Sequence, residues 1–170
     1  MINARVEKEF NDQIKYEIAS AYLYLSMAAY FDNLGWDGMG SWMKVQAQEE
    51  MLHAMKFYSH IGDREGRVNL QALEAPKTEW ASPLEAFQEA YKHEQFVTSR
   101  IQTLAKVGAE ENDYTSRPLV DWFLNEQIEE EASTSKVAQQ LERIGSSTEG
   151  LTMLDRELGT RVFTPPPLQP

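Results

Sequence analysis

The sequence predicts an all-α protein: an antiparallel four-helix bundle with one long crossover and a short fifth helix at the C-terminus. Three observations predict it. Gly and Pro are sparse and leave four long stretches of helix formers; steps of three and four along each stretch trace one mostly apolar stripe; and the links between stretches are unequal in length. At 1.5 Å per residue each stretch gives a helix of roughly 40 Å, which is a bundle dimension. With 170 residues, 42% of them hydrophobic, the chain can bury one continuous core, so a single domain over residues 1–170 is expected.

The first helix is expected at about 4–34, stopped by Gly35. The second runs at about 38–62, with Asp37 as its N-cap and Gly62 at its end. The third, about 83–108, opens with a capping Ser82, Pro83 at the first helical position and Glu85 three residues after the cap. A fourth helix covers about 116–145 and stops at Gly145. Ser146 with Glu149 repeats the capping-box spacing and starts the fifth helix, about 147–158, before a tail at 159–170 that ends in FTPPPLQP. Short links make the first two helices antiparallel neighbours, and likewise the last two. Residues 63–81 are too long and aperiodic for a simple turn, so they read as a crossover along the bundle.

Composition narrows the chemistry. Sixteen Lys and Arg against 27 Asp and Glu give a net charge of -11, which disfavours nucleic acid and favours cations as partners. The absence of cysteine excludes thiolate metal sites, iron–sulfur clusters and disulfides. The N-terminus has no secretory pattern and no apolar run spans a membrane, so a cytoplasmic location is expected.

The stripes carry the functional signal. They read Phe10, Ile14, Glu17, Ala21, Tyr24, Ala28, Phe31; then Met39, Met43, Gln46, Glu50, His53, Phe57, His60; then Leu84, Phe87, Tyr91, Glu94, Thr98, Ile101, Ala105; and Val120, Phe123, Gln127, Glu130, Thr134, Val137, Leu141, Ile144. Each is apolar at both ends and polar at its centre. Packed side by side, the centres meet at one level. Four unpaired buried carboxylates would cost several kcal/mol each, a sum that rivals the ~5–15 kcal/mol stability of a typical domain. No Lys or Arg stands mid-stripe to offset this. Two divalent ions would bring four positive charges, and the i, i+3 spacing of Glu50 and His53 aims both at one of them. Oxygen-rich ligation with one imidazole suits iron or manganese, and iron is the expectation. A related form is known from di-iron bundles, with Glu on two helices and Glu-x-x-His on the other two.

QEEMLH, YKHEQ and NEQIEEE resemble the metal motifs of the ferritin superfamily, and more closely those of bacterial non-haem ferritins, over almost the whole chain. The resemblance implies a ferritin-like bundle assembled as a hollow shell of 24 subunits. It also implies ferroxidase activity with ferrous iron and dioxygen or peroxide as substrates, two irons per subunit, and deposition of ferric mineral. By resemblance Glu17, Glu50 and His53 hold the first iron, Glu94 and Glu130 the second, and Glu50 bridges. Gln127 joins the metal set as a hydrogen-bond orienter, and Tyr24 stands beside the irons to hold geometry or donate an electron. Glu49, Glu126 and Glu129, with Glu130, match a third, inward-facing iron site. Gln127-x-x-Glu130 replaces the second Glu-x-x-His of bacterioferritins. Met51 lies where those proteins ligate haem, but non-haem ferritins share it, so no haem is expected.

Other readings stay open on the residues alone. Glu129 and Glu131 read equally well as a solvated acidic face. Tyr24 and Trp122 also read as packing, His60 and His93 as ordinary polar residues, and Met39, Met43, Met51 and Met55 as core filling. The fold could serve a di-metal oxygenase, a peroxide-decomposing enzyme or a haem-binding bacterioferritin variant, and a polar layer could merely specify helix pairing. Gln46 has no role in any of these.

Overall fold

The computed structural model describes residues 1–164; residues 165–170, which hold most of the Pro-rich tail, lie outside it. Five helices follow in order: α1 (Ala4–Leu34), α2 (Asp37–Asp63), α3 (Pro83–Glu110), α4 (Arg117–Ile144) and α5 (Thr148–Leu158). α1 packs on α2 and α3 on α4, α1 also meets α3, and α5 lies across the ends of α2 and α4. Two apolar clusters fill the core. One joins the C-terminal halves of α1 and α4 to the N-terminal halves of α2 and α3, around Tyr24, Phe31, Met43, Phe87 and Leu141. The other joins the opposite halves, around Phe10, Phe57, Ile101 and Phe123. α1 and α4 therefore run one way and α2 and α3 the other, so the α2–α3 link must travel the length of the bundle.

That crossover is laid along α1 by side chains. Asn11 Nδ2 donates to Arg67 O at 3.0 Å, and Asn11 Oδ1 accepts from the Asn69 backbone N–H at 2.6 Å. Ser26 Oγ donates to Lys77 O at 2.6 Å, and Tyr30 packs edge-on against Trp80. From Asn11 to Ser26 is about 22 Å along a helix axis, most of the distance between the two ends.

Helix termini follow local chemistry. Asn3 Oδ1 caps α1 by accepting from Arg5 N, and Gly35 ends it at φ 77°, a left-handed turn that glycine makes without strain. Ser82 caps α3 through Glu85 N, as its capping-box spacing predicts. Two expected caps fall elsewhere. Asp37 is the first residue inside α2, and the donor it would have capped is taken by α5: Met39 N donates to Asp155 Oδ1 at 2.8 Å. Ser147, one residue after Ser146, caps α5 through Gly150 N, because the turn at Gly145 takes up the extra position. α3 also runs past Gly108 to Glu110, where Asn112 makes the turn at φ 54°.

α5 sits close enough to α2 to require a glycine. A Cβ on Gly38 would lie 1.7 Å from the Asp155 carbonyl oxygen. This contact fixes where the segment beyond α5 leaves the bundle.

Candidate metal centre

The stripes of α1, α2 and α4 bury as their spacing predicts, apart from half-exposed His60 and Ile144. On α3 the anchors Phe87, Glu94 and Ile101 are buried, but Ala90, Val97 and Leu104 occupy the intervening core positions in place of Tyr91, Thr98 and Ala105. The period of 3.6 admits either neighbour, and the apolar one faces in.

Between the two apolar clusters lies the polar layer. Glu17 and Glu94 are 0% exposed, Glu50 1% and Glu130 5%, one from each helix. Glu17, Glu50 and His53 bring one ligand atom each to within 4.8 Å of one another; Glu50, Glu94 and Glu130 do the same. Glu50 belongs to both groups, so the two sets share one carboxylate. The His53 ring is wedged edge-on between Trp122 and Phe123, with Nδ1 3.6 Å from Glu50 Oε2 and Nε2 4.0 Å from Glu126 Oε1.

Neighbouring side chains orient the carboxylates. Gln13 Nε2 donates to Glu17 Oε1 at 2.9 Å, and Tyr24 OH donates to Glu94 Oε1. Gln127 Nε2 reaches Glu94 Oε2 at 3.2 Å and Thr98 Oγ1 at 3.3 Å. Gln46 Nε2 donates to Glu130 Oε2 at 2.7 Å and to Glu50 Oε1 at 3.1 Å, while its Oε1 accepts from Arg161 at 2.8 Å. Arg161 can only donate, so it fixes the amide with its nitrogen toward the carboxylates. Glu17 Oε2 is buried and accepts no hydrogen bond. Such an oxygen lacks a cation or a proton.

The electrostatics show the same deficit. Burial, reinforced by the charge of Glu50, holds Glu17 well above the usual carboxylate range and raises Glu94 to about 8. Burial and the charge of Glu94 raise Glu130 likewise. Glu50 is buried too, yet His53 and the Gln46 donor bring it below the ordinary value. Without cations the layer favours charge on Glu50 and the protonated form of the other three. Divalent cations would replace those protons, and the oxygen-rich set with one imidazole fits iron.

The third cluster gathers only in part. His53, Glu126 and Glu130 approach one another within 4.8 Å, whereas Glu129 is exposed and joins no group among the described residues. Glu49 is held by Arg161, whose guanidinium donates to its carboxylate and stacks 4.3 Å from the centroid of Trp42. Neither Gln46 nor Arg161 has a role in the sequence reading. Gln46 was visible as an unexplained polar stripe residue; Arg161 follows α5, where no helical period points it anywhere.

A four-helix bundle with a short fifth helix, crossed by a layer of four buried carboxylates and an imidazole, is the class this fold and site define. A ferritin-like domain family matches residues 7–144. The chain is 36% identical over 163 residues to a bacterial non-heme ferritin of Staphylococcus aureus, covering 96% of this chain and 98% of that protein, and 35% identical to one of Staphylococcus haemolyticus over the same shares. Among solved structures, an engineered closed form of the Archaeoglobus fulgidus ferritin superposes with TM-score 0.95 at 46% identity, over 96% of this chain and 100% of that one. The open-pore ferritin of the same archaeon gives TM-score 0.93 at 45% identity, over 95% and 98%. The chain belongs to the ferritin family. Among the described residues, no helix is long and apolar enough to cross a membrane.

Proposed function

We propose that this ferritin stores iron, and that the carboxylate layer is its ferroxidase centre. Ferrous iron is the substrate. Glu17, Glu50 and His53 hold one ion, Glu94, Glu130 and the shared Glu50 the other, and each ion loses one electron to dioxygen or peroxide. The observation that carries the reading is the burial of four carboxylates on four helices with, among the described residues, no buried Lys or Arg beside them. Two divalent ions match that charge, and Glu17 Oε2 is an oxygen left free for one of them.

The residues divide the work. Tyr24, Gln127 and Gln46 orient carboxylates by donating to their oxygens. The apolar clusters on either side exclude water and strengthen each ionic contact. A centre sealed to 0–5% exposure admits ions and small oxidants more readily than an organic substrate, which favours ferroxidase over oxygenase chemistry. Assembly as a 24-subunit shell in the cytoplasm, with ferric mineral inside, completes the proposal; it is supported by the near-full-length likeness to ferritins.

The test is aerobic addition of ferrous iron to the purified metal-free protein. Rapid ferric absorbance, many irons retained per subunit and a particle of shell mass are expected. Glu50→Ala removes a ligand of both ions and should abolish the fast phase; an unchanged rate would sink the assignment of the bridge.

A further inference from the structure

Arg161 brings a positive charge to the edge of the layer from outside the four helices. Three α2 residues on one face receive it: the ring of Trp42, the amide oxygen of Gln46 and the carboxylate of Glu49, at i, i+4 and i+7. α5 delivers it there. Asp155 caps α2 and Gly38 admits the α5 backbone, so the chain emerges beside Trp42, and Arg161 follows three residues after the last helical residue, Leu158. The guanidinium uses one nitrogen on Gln46 and another on Glu49, so its charge is fixed in place and does not swing on a free side chain. One buried amide separates that charge from the carboxylates: Gln46 Nε2 donates to Glu130 at 2.7 Å and to Glu50 at 3.1 Å.

Charge at the centre rises as it works, because each ion gains one positive charge when its electron goes to the oxidant. Arg161 faces that rise from the far side of Gln46. Like charges repel, and in a part-buried setting the repulsion is screened less than in water. We propose that Arg161 is a fixed charge that biases the centre against ions in the higher oxidation state, so that iron is bound for oxidation and released afterwards. It touches neither ion. Arg161 acts as a positioning residue, through Gln46 and through its charge, and this role rests on the ferroxidase-centre reading above.

The test measures affinities and needs no turnover. Zn2+ and Ga3+, the latter supplied as its citrate complex, keep their oxidation states and take the places of the reduced and the oxidised ion. Each is titrated, in competition with a chelator, into the full, assembled, metal-free protein. Arg161→Ala should tighten Ga3+ by about fivefold more than it tightens Zn2+, the scale of one added charge acting across an amide. Arg161→Lys keeps the charge and should keep most of the parent's ratio of the two affinities. Equal shifts for both ions, or no shift, overturn the proposal and leave Arg161 a structural staple. A Lys variant that behaves like the Ala variant overturns it too, since the contact and not the charge would then matter. Should Arg161→Ala fail to fold, Arg161→Gln removes the charge but keeps a donor for Gln46, and the same change in ratio is required of it. A parent chain that does not take up two Zn2+ per subunit overturns the centre itself and this proposal with it.

Discussion

Gln46 Nε2 lies 2.7 Å from Glu130 Oε2, and this hydrogen bond joins α2 to α4 across the middle of the core. Both residues are buried, and the same amide nitrogen serves Glu50. Gln46→Leu keeps the volume and removes the donor. A hydrogen bond to a charged or partly charged acceptor contributes about 1.5–3 kcal/mol, so the metal-free variant should lose stability of that order and melt several degrees lower. Loading with a divalent ion should recover most of the loss, because cations then satisfy the same oxygens. An equal loss in both states would show that Gln46 matters only for packing.

Raised carboxylates make the metal-free protein sensitive to alkali. Glu94 is held at about 8, against an ordinary 4.5, and Glu17 and Glu130 are raised in the same direction. A carboxyl raised on folding binds more protons in the folded state, so its contribution is complete below pH 4.5 and is lost as pH climbs toward 8. Glu94 alone would account for up to about 5 kcal/mol across that interval at 1.36 kcal/mol per unit. Glu50 is lowered and acts in the opposite sense, only below about 4.5. The melting temperature of the metal-free protein should therefore fall steadily from pH 5 to pH 8. Glu94→Gln should flatten the slope, and a parent curve that is already flat would contradict the protonated layer.

The same protons must leave when metal binds. At pH 7 loading the centre should release protons, that of Glu94 among them, and at pH 9 fewer, since Glu94, held at about 8, is then already ionised. Calorimetry in two buffers of different ionisation enthalpy measures the number. Release that does not vary with pH would place the ionised charge elsewhere than on Glu50 alone.

Most of this was legible in the sequence, for identifiable reasons. Glu17, Glu50, Glu94 and Glu130 were found because helical period converts spacing into a shared face, and a carboxylate on an apolar face is conspicuous. Period alone could not choose between Tyr91 and Ala90 on α3, since both lie near the stripe and only packing against α4 decides. Asp155 and Arg161 were beyond reach for a different reason. Each acts on α2 from more than 110 residues away, and no local pattern encodes where α5 docks. Gln46 lay between these cases: its burial was predicted, but its partner Arg161 was not.

Docking of α5 can be broken at a single atom. Gly38 faces the Asp155 backbone so closely that an added methyl would lie 1.7 Å from its carbonyl oxygen, and backbone cannot rotate aside as a side chain can. Gly38→Ala should therefore lift α5, remove the Asp155 cap from Met39 N and draw Arg161 away from Glu49 and Gln46. Overpacking costs about 1–3 kcal/mol and the lost cap about 1 more, so a marked fall in melting temperature is expected. Alanine favours helix over glycine by about 1 kcal/mol, which opposes the fall without cancelling it. Asp155→Ala supplies the comparison: it deletes the cap while leaving the glycine contact, and should be milder. If Gly38→Ala is instead neutral or stabilising, α5 does not sit on α2 as described, and the path that brings Arg161 to Glu49 fails with it.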